Sequence, residues 1–282
     1  MDHRWVLWWI TGKYLWSRMG HFLRSRLRGT DEFEQELAKE NLILREAARK
    51  LGIEVIDHGG GMLEFRCGER RSFIKGNATE LESAVAHRIA GDKFLVSRIL
   101  AENGLPVPAG TCFTVDEVER AREYFHHAEK PLVVKPRRGT SGGLGVTAGI
   151  ESWRDFRRAF FEAGMYDRYV LVERFVSGEH IRLLMIKDQL LSAVRRVPAF
   201  LIGDGRRSIR RLIQETNRRR AASQQFPRLW PIRINNDLKL TLRRQSLTLR
   251  SVPPAGQKVY VKTICNGHQG GIVEEVTRII HP

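Results

Sequence analysis

An apolar segment that runs directly into a glycine-rich loop is the feature that most restricts how this chain can fold. In PLVVKPRRGTSGGLGV, residues 131–146, the apolar run ends at Lys135, and four glycines follow within ten positions. The β-branched pair Val133 and Val134 predicts a buried strand, and Pro136 ends its ladder. Glycines let a backbone approach a ligand closely, and N–H groups beside a lysine suit a phosphate. A mobile surface hairpin is the alternative interpretation.

The order of residues in this stretch excludes two common phosphate-binding motifs. A Walker A loop carries its lysine after the glycines, whereas Lys135 comes before them. The glycine spacing does not match G-x-G-x-x-G either. If the loop binds a phosphate, it therefore belongs to another class.

Composition limits the other possibilities. The chain has 282 residues and 42% hydrophobic content, which is enough for one large domain or two small ones. Cys67, Cys112 and Cys265 lie far apart without a C-x-x-C, so neither a disulfide framework nor a zinc site is predicted. No apolar run reaches membrane-spanning length, and no signal peptide is recognisable. A cytoplasmic location is predicted.

The net charge of +16 comes from two segments. Residues 1–30 hold six Lys/Arg against Asp2 alone, and residues 206–250 hold thirteen against two acidic residues, which gives +5 and +11. Such local charge predicts an anionic partner. The 206–250 segment is either a substrate lip or a solvated face. It contains only two aromatic residues, Phe226 and Trp230, which argues against a stacking surface for nucleic acid.

Residues 4–28 are predicted to form a basic amphipathic helix. Four of the six tryptophans fall in the first sixteen residues, and arginines flank the apolar face. Tryptophan with arginine is typical of a helix lying in a membrane interface, so peripheral membrane contact is one interpretation. A helix docked on its own protein or on a partner subunit is the other.

Hydrophobic periodicity predicts a mixture of helices and strands. Helices are predicted at 31–50, 80–103, 116–125, 153–164 and 208–220. Strands are predicted at 51–56, 62–66, 70–76, 104–115 (entered from a loop), 132–134, 169–176 and 181–197. The remaining C-terminal part is predicted to be mostly strand and loop.

Six motifs follow one another in a recognisable order. They are AGDKFLVSRIL, GLPVPAG, LVVKPRRGTSGGLGV, YVLVERFVSGEH, RRVPAFLIGDG and ICNGHQGGIVEEVTRIIHP. Together they resemble the ATP-grasp superfamily, in particular the ATP-grasp modules of cyanophycin synthetase and bifunctional glutathione synthetase. The likeness covers about residues 40–282.

The resemblance implies an α+β fold with α/β layers, in which two subdomains clasp ATP. It divides the chain into the helix at 1–30, an N-terminal α/β subdomain at 31–85, a lid subdomain at 86–172 and a truncated core subdomain at 173–282.

The resemblance also implies the nucleotide site. Lys93 and Lys135 would hold the α- and β-phosphates. Without the resemblance, Lys93 could equally be a solvent-exposed lysine on a helix. The lid over the triphosphate would consist of Gly139, Thr140, Ser141, Gly142, Gly143 and Gly145.

For the adenosine, the resemblance assigns residues of the hinge. Glu173 would accept from the exocyclic amine, and the backbone near Phe175 and Val176 would bind the ring edge. Read without the resemblance, Glu173 fits a strand glutamate paired with an arginine. The family's ribose-binding carboxylate falls at His180 in this chain, with Glu179 just before it.

Three arginines complete the implied site. Arg182, Arg195 and Arg196 resemble those that hold the γ-phosphate or the substrate carboxylate, because a guanidinium donates two parallel hydrogen bonds. Adjacent strand residues point to opposite faces, so Arg182 and one of the following pair are expected to act.

The family's Mg²⁺ ligands are an aspartate and an E-x-N pair that follow the H-P segment, and here the sequence ends at His281 and Pro282. Metal ligands are therefore expected beyond residue 282. None is assigned within the chain, and Glu274 and Glu275 are not predicted to bind the metal. Either the chain is a fragment, or it is a truncated protein.

The resulting hypothesis is an ATP-dependent carboxylate–amine ligase that acts on amino acids or peptides through an acyl phosphate. The alternative is a non-catalytic nucleotide-binding remnant or a membrane- or anion-binding protein. Expected partners are ATP with small carboxylate and amine substrates. The oligomeric state is left open, a homo-oligomer being one option.

Overall fold

The computed structural model describes residues 31–76, 78–140, 142–223 and 229–280, with the backbone only for 31–40. The helix predicted at 4–28 and the site residue Ser141 lie outside this part. The chain divides into two compact units, one ending at Asp92 and one beginning at Lys93. Among the helices described, none combines the length and apolar character needed to cross a membrane.

The first unit contains a helix and a four-stranded antiparallel sheet, followed by a short helix. Its elements are α1 (Asp31–Lys50), β1 (Glu54–Asp57), β2 (Met62–Cys67), β3 (Arg70–Lys75), β4 (Ala78–Thr79) and α2 (Ala84–Ala90), with the strands in sequential order. The helix and three strands predicted for this region are confirmed. Leu63 and Ala48 are its buried apolar side chains.

The single helix predicted over 80–103 is wrong, because two helices occupy the range. The first is α2, which Ser83 caps by accepting from the Ala86 N–H at 3.0 Å. It ends at Gly91, whose N–H bonds the His87 carbonyl at 3.1 Å. The second is α3 (Lys93–Glu102), which places Lys93 at the start of a helix.

The second unit is built around an antiparallel sheet with the order β5-β8-β6-β7. These strands are β5 (Gly110–Thr114), β6 (Leu132–Pro136), β7 (Thr147–Ile150) and β8 (Tyr169–Arg174), with α4 (Val118–His127) and α5 (Trp153–Gly164) between them. Alternate residues of a strand face opposite sides. Leu132 and Val134 are therefore buried in the core, whereas Val133 and Lys135 face the other side.

Helix α5 shows why this core forms. Ser152 caps the helix by accepting from the Asp155 N–H at 3.2 Å. Four apolar residues then recur at helical spacing and are fully buried against the sheet, namely Phe156, Ala159, Phe160 and Ala163. The predicted bounds of this helix, 153–164, are confirmed.

A second core lies around a two-stranded sheet. Its elements are β11 (Phe200–Ile202), β12 (Lys258–Tyr260), α6 (Ile209–Ala222) and α7 (Asn236–Arg244). The prediction of strand and loop is wrong at α7. Leu238, Leu240 and Leu242 alternate as in a strand, but Leu238 and Leu242 enter this second core, whereas Leu240 enters the first. Residues two apart on a helix point to nearly opposite sides, so the pattern reflects a helix held between two cores.

The last part of the second unit is a three-stranded antiparallel sheet. It has the order β13-β10-β9, with β9 (His180–Ile186), β10 (Gln189–Val197) and β13 (Ile272–Glu275), followed by α8 (Thr277–Ile280). Strands β9 and β10 form a hairpin that turns at Lys187 and Asp188, so the strand predicted over 181–197 is two strands joined by a turn. The predicted α+β class is confirmed by these helices and antiparallel sheets.

The substitution Phe156→Ala tests the first core. Phe156 is 0% exposed and stacks on Trp153 and Phe160, so its truncation leaves a cavity that the sheet cannot close. We expect the free energy of unfolding to fall by about 3–5 kcal/mol in urea titrations. The control Arg154→Ala, exposed on the same helix, is expected to change it by less than about 0.5 kcal/mol. A Phe156→Ala loss no larger than the control's would contradict this core assignment.

Candidate functional site

One large cleft within the second unit gathers most of the predicted site residues. It has a volume of about 1290 Å³, and its walls come from β6, β8, β10, α7, the glycine loop and residues 258–266. The predicted residues that line it are Lys93, Lys135, Thr140, Gly142, Gly143, Glu173, Phe175, Val176, Glu179, His180, Arg195 and Arg196. Gly139, Gly145 and Arg182 do not line it.

Lys135 and Glu173 form an ion pair on the cleft side of the β5-β8-β6-β7 sheet. Val133 pairs with Glu173 in the register of β6 and β8, which places Lys135 diagonally across from the glutamate. The Lys135 Nζ lies 2.5 Å from the Glu173 Oε2, and Glu173 is only 5% exposed. The alternative prediction that Glu173 pairs with an arginine is therefore wrong, because its partner is Lys135. The pair puts an ammonium at the centre of the cleft wall.

Lys93 is directed at the end of the strand that carries Lys135. Its Nζ donates to the Pro136 carbonyl at 3.1 Å and to the Arg137 carbonyl at 3.4 Å. Its backbone N–H also donates to Arg137, at 3.2 Å. The side chain is half-buried rather than free on the surface of its helix. Both predicted lysines thus line the cleft beside the start of the glycine loop.

Two glycines of the loop are required by close contacts as well as by backbone conformation. Gly142 and Gly143 have φ values of +64° and +74°, a region that favours glycine. A Cβ on Gly142 would come within 2.9 Å of the His268 Cβ, and one on Gly143 within 3.2 Å of the Gln269 Cγ. The loop therefore lies directly against the segment at 264–269.

Gln269 is the polar link between this loop and the rest of the cleft. It is 2% exposed, and its Nε2 donates to the Gly142 carbonyl at 2.9 Å. Its Oε1 accepts from the Lys262 Nζ and from the Asn235 Nδ2, both at 3.4 Å. One side chain thus connects the glycine loop to a buried ammonium.

The buried charges at the base of the cleft are not among the predicted site residues. Lys262 lines the cleft and is 1% exposed, and its Nζ donates to the Asn235 Oδ1 at 2.5 Å. Burial lowers the pKa of Lys262 to about 8 and raises the pKa of Asp237 to about 6, while each charge partly offsets the other's shift. The sequence signal was a lysine after the alternating run KVYV, the same kind of signal that drew attention to Lys135.

The arginines of the β9–β10 hairpin fall into two groups. Arg196 pairs with His180, and Val194 with Arg182, so Arg182 and Arg196 lie diagonally on one face. Burial, followed by the Arg182 charge, lowers the pKa of Arg196, and burial with both arginines lowers the pKa of His180. Arg195 instead lies 3.1 Å from Glu179 and 3.8 Å from Glu274. The Arg182–Arg196 pair is consequently the group that an anion would stabilise.

The described residues do not fit a magnesium site. Mg²⁺ requires several oxygen ligands, usually including carboxylates. The carboxylates that line the cleft are Glu173, paired with Lys135, and Glu179 and Glu274, paired with Arg195. Across the part of the chain that the structure describes, no three His, Cys, Asp or Glu side chains are grouped so as to hold a metal.

Two lysines, a glycine loop and arginines around one cleft are features that a nucleotide- or phosphate-binding site requires, and comparison with known proteins shows the kind of domain that carries them. Residues 99–199 match the family described as D-ala D-ala ligase C-terminus. The chain is 32% identical over 223 residues to cyanophycin synthetase of Trichormus variabilis, covering 78% of this chain and 24% of that protein. The chain therefore contains an ATP-grasp domain like those of these proteins, and the resemblance is confirmed.

Two further proteins are similar to most of this chain. The glutathione biosynthesis bifunctional protein of Enterococcus faecalis is 31% identical over 252 residues, covering 88% of this chain and 33% of that protein. A solved structure of a bifunctional glutathione synthetase from Pasteurella multocida has 26% identity and a TM-score of 0.44, covering 82% of this chain and 32% of that one. The chain spans about a quarter to a third of the length of these proteins.

Replacing Gln269 by alanine tests the link to the glycine loop. Without the Nε2 donor, the Gly142 carbonyl loses its bond and the loop loses its polar anchor. We expect the amides of residues 139–146 to exchange with deuterium at least tenfold faster in hydrogen-exchange mass spectrometry. The matched control is Gln257→Ala, since that side chain is exposed. Equal loop exchange in the two variants would show that Gln269 does not hold the loop.

The substitution Asp237→Asn tests the buried charges through pH. Asp237 has a folded-state pKa near 6, above its value of 3.8 without burial, so the folded protein binds more protons between these values. Stability then falls as pH rises, relative to the variant, which lacks this titration. We expect the unfolding free energy of the wild type minus that of the variant to decrease by about 2 kcal/mol between pH 4 and pH 6.5. A difference that stays constant over this range would contradict the raised pKa.

Proposed function

We propose that this chain forms the nucleotide-binding part of an ATP-dependent carboxylate–amine ligase. The observation that carries the proposal is the position of Lys93 and Lys135 in one cleft with the glycine loop and Arg196. Family membership supports the same reaction class. The chain covers only part of its relatives, so the full activity is inferred here from the cleft and the family together.

The two lysines and the loop would hold the phosphates. The ammonium groups of Lys93 and Lys135 supply positive charge at one wall, where burial strengthens their attraction for phosphate oxygens. The loop from Gly139 to Gly145 would cover the triphosphate and keep water from the reactive intermediate. Its contacts with His268 and Gln269 support a closed position over the cleft.

The hinge after β8 would bind the adenosine. Glu173, Phe175 and Val176 line the cleft next to Lys135, which supports recognition of the adenine edge by this segment. In the present geometry the Glu173 carboxylate is engaged by Lys135. Its predicted bond with the adenine amine therefore uses a lone pair that the lysine leaves available. Glu179 and His180 line the same cleft and are the candidates for the ribose.

The reaction would begin with attack of the substrate carboxylate on the γ-phosphorus, which breaks the bond to the ADP oxygen. The product is an acyl phosphate. A neutral amine would then attack the acyl carbon, forming the amide, releasing inorganic phosphate and losing a proton. Arg182 and Arg196, with Arg195 as the third predicted arginine, would hold the γ-phosphate or the carboxylate, so that catalysis rests on position and charge.

Magnesium belongs to the general chemistry of this family, in which ATP is used with Mg²⁺. The described residues do not provide a cluster of carboxylates that could hold it. We propose that its ligands lie outside the described residues, and that the residues named above bind and orient the nucleotide.

Substrates are proposed only by class. The relatives carry the names cyanophycin synthetase and glutathione biosynthesis bifunctional protein, and the matched family is named for a D-Ala–D-Ala ligase. We propose amino acids or short peptides as the carboxylate and amine partners, and a cytoplasmic location. Incubation with ATP, Mg²⁺ and pools of amino acids, followed by mass spectrometry of products, would identify the pair.

Lys135→Ala is the decisive variant for nucleotide binding. Removing this ammonium leaves the Glu173 carboxylate buried without its ion pair and facing the phosphates. We expect the affinity for Mg·ATP, measured by isothermal titration with the full chain, to fall at least about 100-fold, which corresponds to about 2.7 kcal/mol. In a complete enzyme the same change is expected to abolish ATP turnover.

The matched control is Lys130→Ala. Lys130 lies outside the cleft, where its Nζ bonds the Ala128 carbonyl and rests on the Phe125 ring. Its loss is expected to leave nucleotide affinity within about twofold of wild type. If Lys135→Ala bound Mg·ATP as tightly as Lys130→Ala, the assignment of the phosphate site would be wrong.

A second proposal concerns the basic segment at 1–30. Its tryptophans and arginines favour peripheral contact with an anionic membrane. Flotation with phosphatidylserine vesicles should recover the full chain, but not a chain lacking residues 1–30, and raised salt should weaken recovery. Equal recovery of both chains would overturn this proposal. A gel shift with DNA or RNA, for which we expect no complex at physiological salt, separates it from nucleic-acid binding.

A further inference from the structure

A second cavity lies in the same unit as the nucleotide cleft. It has a volume of about 280 Å³ and lies between α5 and α7, and it shares no lining residue with the nucleotide cleft. The strand β7 shows the separation directly, since Thr147 lines this cavity and the next residue, Ala148, lines the cleft. The cavity is therefore a separate space behind the wall of the cleft.

Most of the cavity wall is apolar. Leu240 and Leu242 of α7 and Ala159 of α5 are buried, and Leu247 and Leu249 from the following loop are half-buried. The volume falls just below the range of about 300–1,000 Å³ that is usual for small-molecule sites. A compact apolar group, such as one aromatic ring or a branched chain, matches this space.

Positive charge surrounds the apolar wall. Arg158, Lys239 and Arg243 line the cavity, against the single carboxylate of Asp155. Asp155 accepts from Arg243 at 2.6 Å and is thereby neutralised. Within the described part of the chain, no carboxylate forms an ion pair with Arg158 or Lys239. Two exposed cations thus remain for an anionic group of a ligand.

One buried polar atom of the wall also lacks a partner. Thr147 is 3% exposed, and among the described residues its hydroxyl has no hydrogen-bond partner. Buried hydroxyls are nearly always satisfied by a protein or solvent group. An oxygen on a ligand would satisfy this one, so the cavity has a polar point at its wall as well as charge around it.

From these features we propose that this cavity binds a small amphipathic carboxylate, in particular one with a compact ring and a second oxygen. The carboxylate would be held by Arg158 and Lys239, and the ring would lie against the leucines of α7 and the following loop. The second oxygen would bond the Thr147 hydroxyl. The site is independent of the proposed nucleotide reaction.

The test is isothermal titration of the full chain with 4-hydroxyphenylacetate, which carries all three groups. We expect saturable binding at one site per chain. The uncharged 4-hydroxyphenylacetamide should bind at least tenfold more weakly, because it lacks the charge that Arg158 and Lys239 recognise. Phenylacetate should bind several-fold more weakly than 4-hydroxyphenylacetate, and that difference should disappear in Thr147→Val, which removes only the hydroxyl.

Variants separate this cavity from other cations on the surface. The double variant Arg158→Ala, Lys239→Ala should lose at least tenfold in affinity for 4-hydroxyphenylacetate. Arg157→Ala is the matched control, because Arg157 is exposed on the same helix but does not line the cavity. It is expected to bind as wild type does.

The proposal is overturned if no saturable binding is found at millimolar concentrations. It is also overturned if the acid and the amide bind equally, if the double variant retains wild-type affinity, or if excess ADP displaces the probe. Displacement by ADP would place the probe in the nucleotide cleft. Retained nucleotide binding in every variant is expected, so failure here is distinguishable from failure of the proposed ligase function.

Discussion

The organisation of the cleft depends on the burial of the Lys262 ammonium. A buried cation is costly unless polar groups surround it, and here the side chains of Asn235 and Gln269 accept from its Nζ while Asp237 supplies opposite charge. Asn235 caps α7, and Gln269 reaches the glycine loop. Satisfying one ammonium therefore fixes the start of a helix, the segment at 264–269 and the loop together.

Helix α7 extends this constraint to both cores of the second unit. Leu240 belongs to the core under the first sheet, whereas Leu238 and Leu242 belong to the core around β11 and β12. Between them, Thr241 bonds the Asp237 carbonyl at 2.7 Å and the Thr263 hydroxyl at 2.8 Å. Helix α7 thus packs its leucines against two cores on different sides. Its polar residues complete the base of the cleft.

The sequence was most informative where local chemistry and tertiary environment agree. Lys135 follows a short apolar strand, and α5 has a regular apolar stripe, so strand, loop and helix were all predicted where they occur. It was least informative at α7, where alternating leucines reflect two cores that no local pattern reveals. Lys262 follows a short alternating run, but its burial and that of Asp237 become apparent only once partners 27 and 26 residues away along the chain are brought beside them.

Each of the described carboxylates that line the cleft is paired with a basic side chain. Glu173 is engaged by Lys135, and Glu179 and Glu274 by Arg195. Arg196 also lines the cleft, and Arg182, which does not line it, lies diagonally across from Arg196 on the same face of the hairpin. Arg196 is half-buried and Arg182 is exposed, and desolvation, followed by the charge of Arg182, lowers the pKa of Arg196. An anion placed between them relieves both costs at once. A phosphate or carboxylate bound there would therefore stabilise this face of the hairpin, whereas Arg195 is already paired with Glu179.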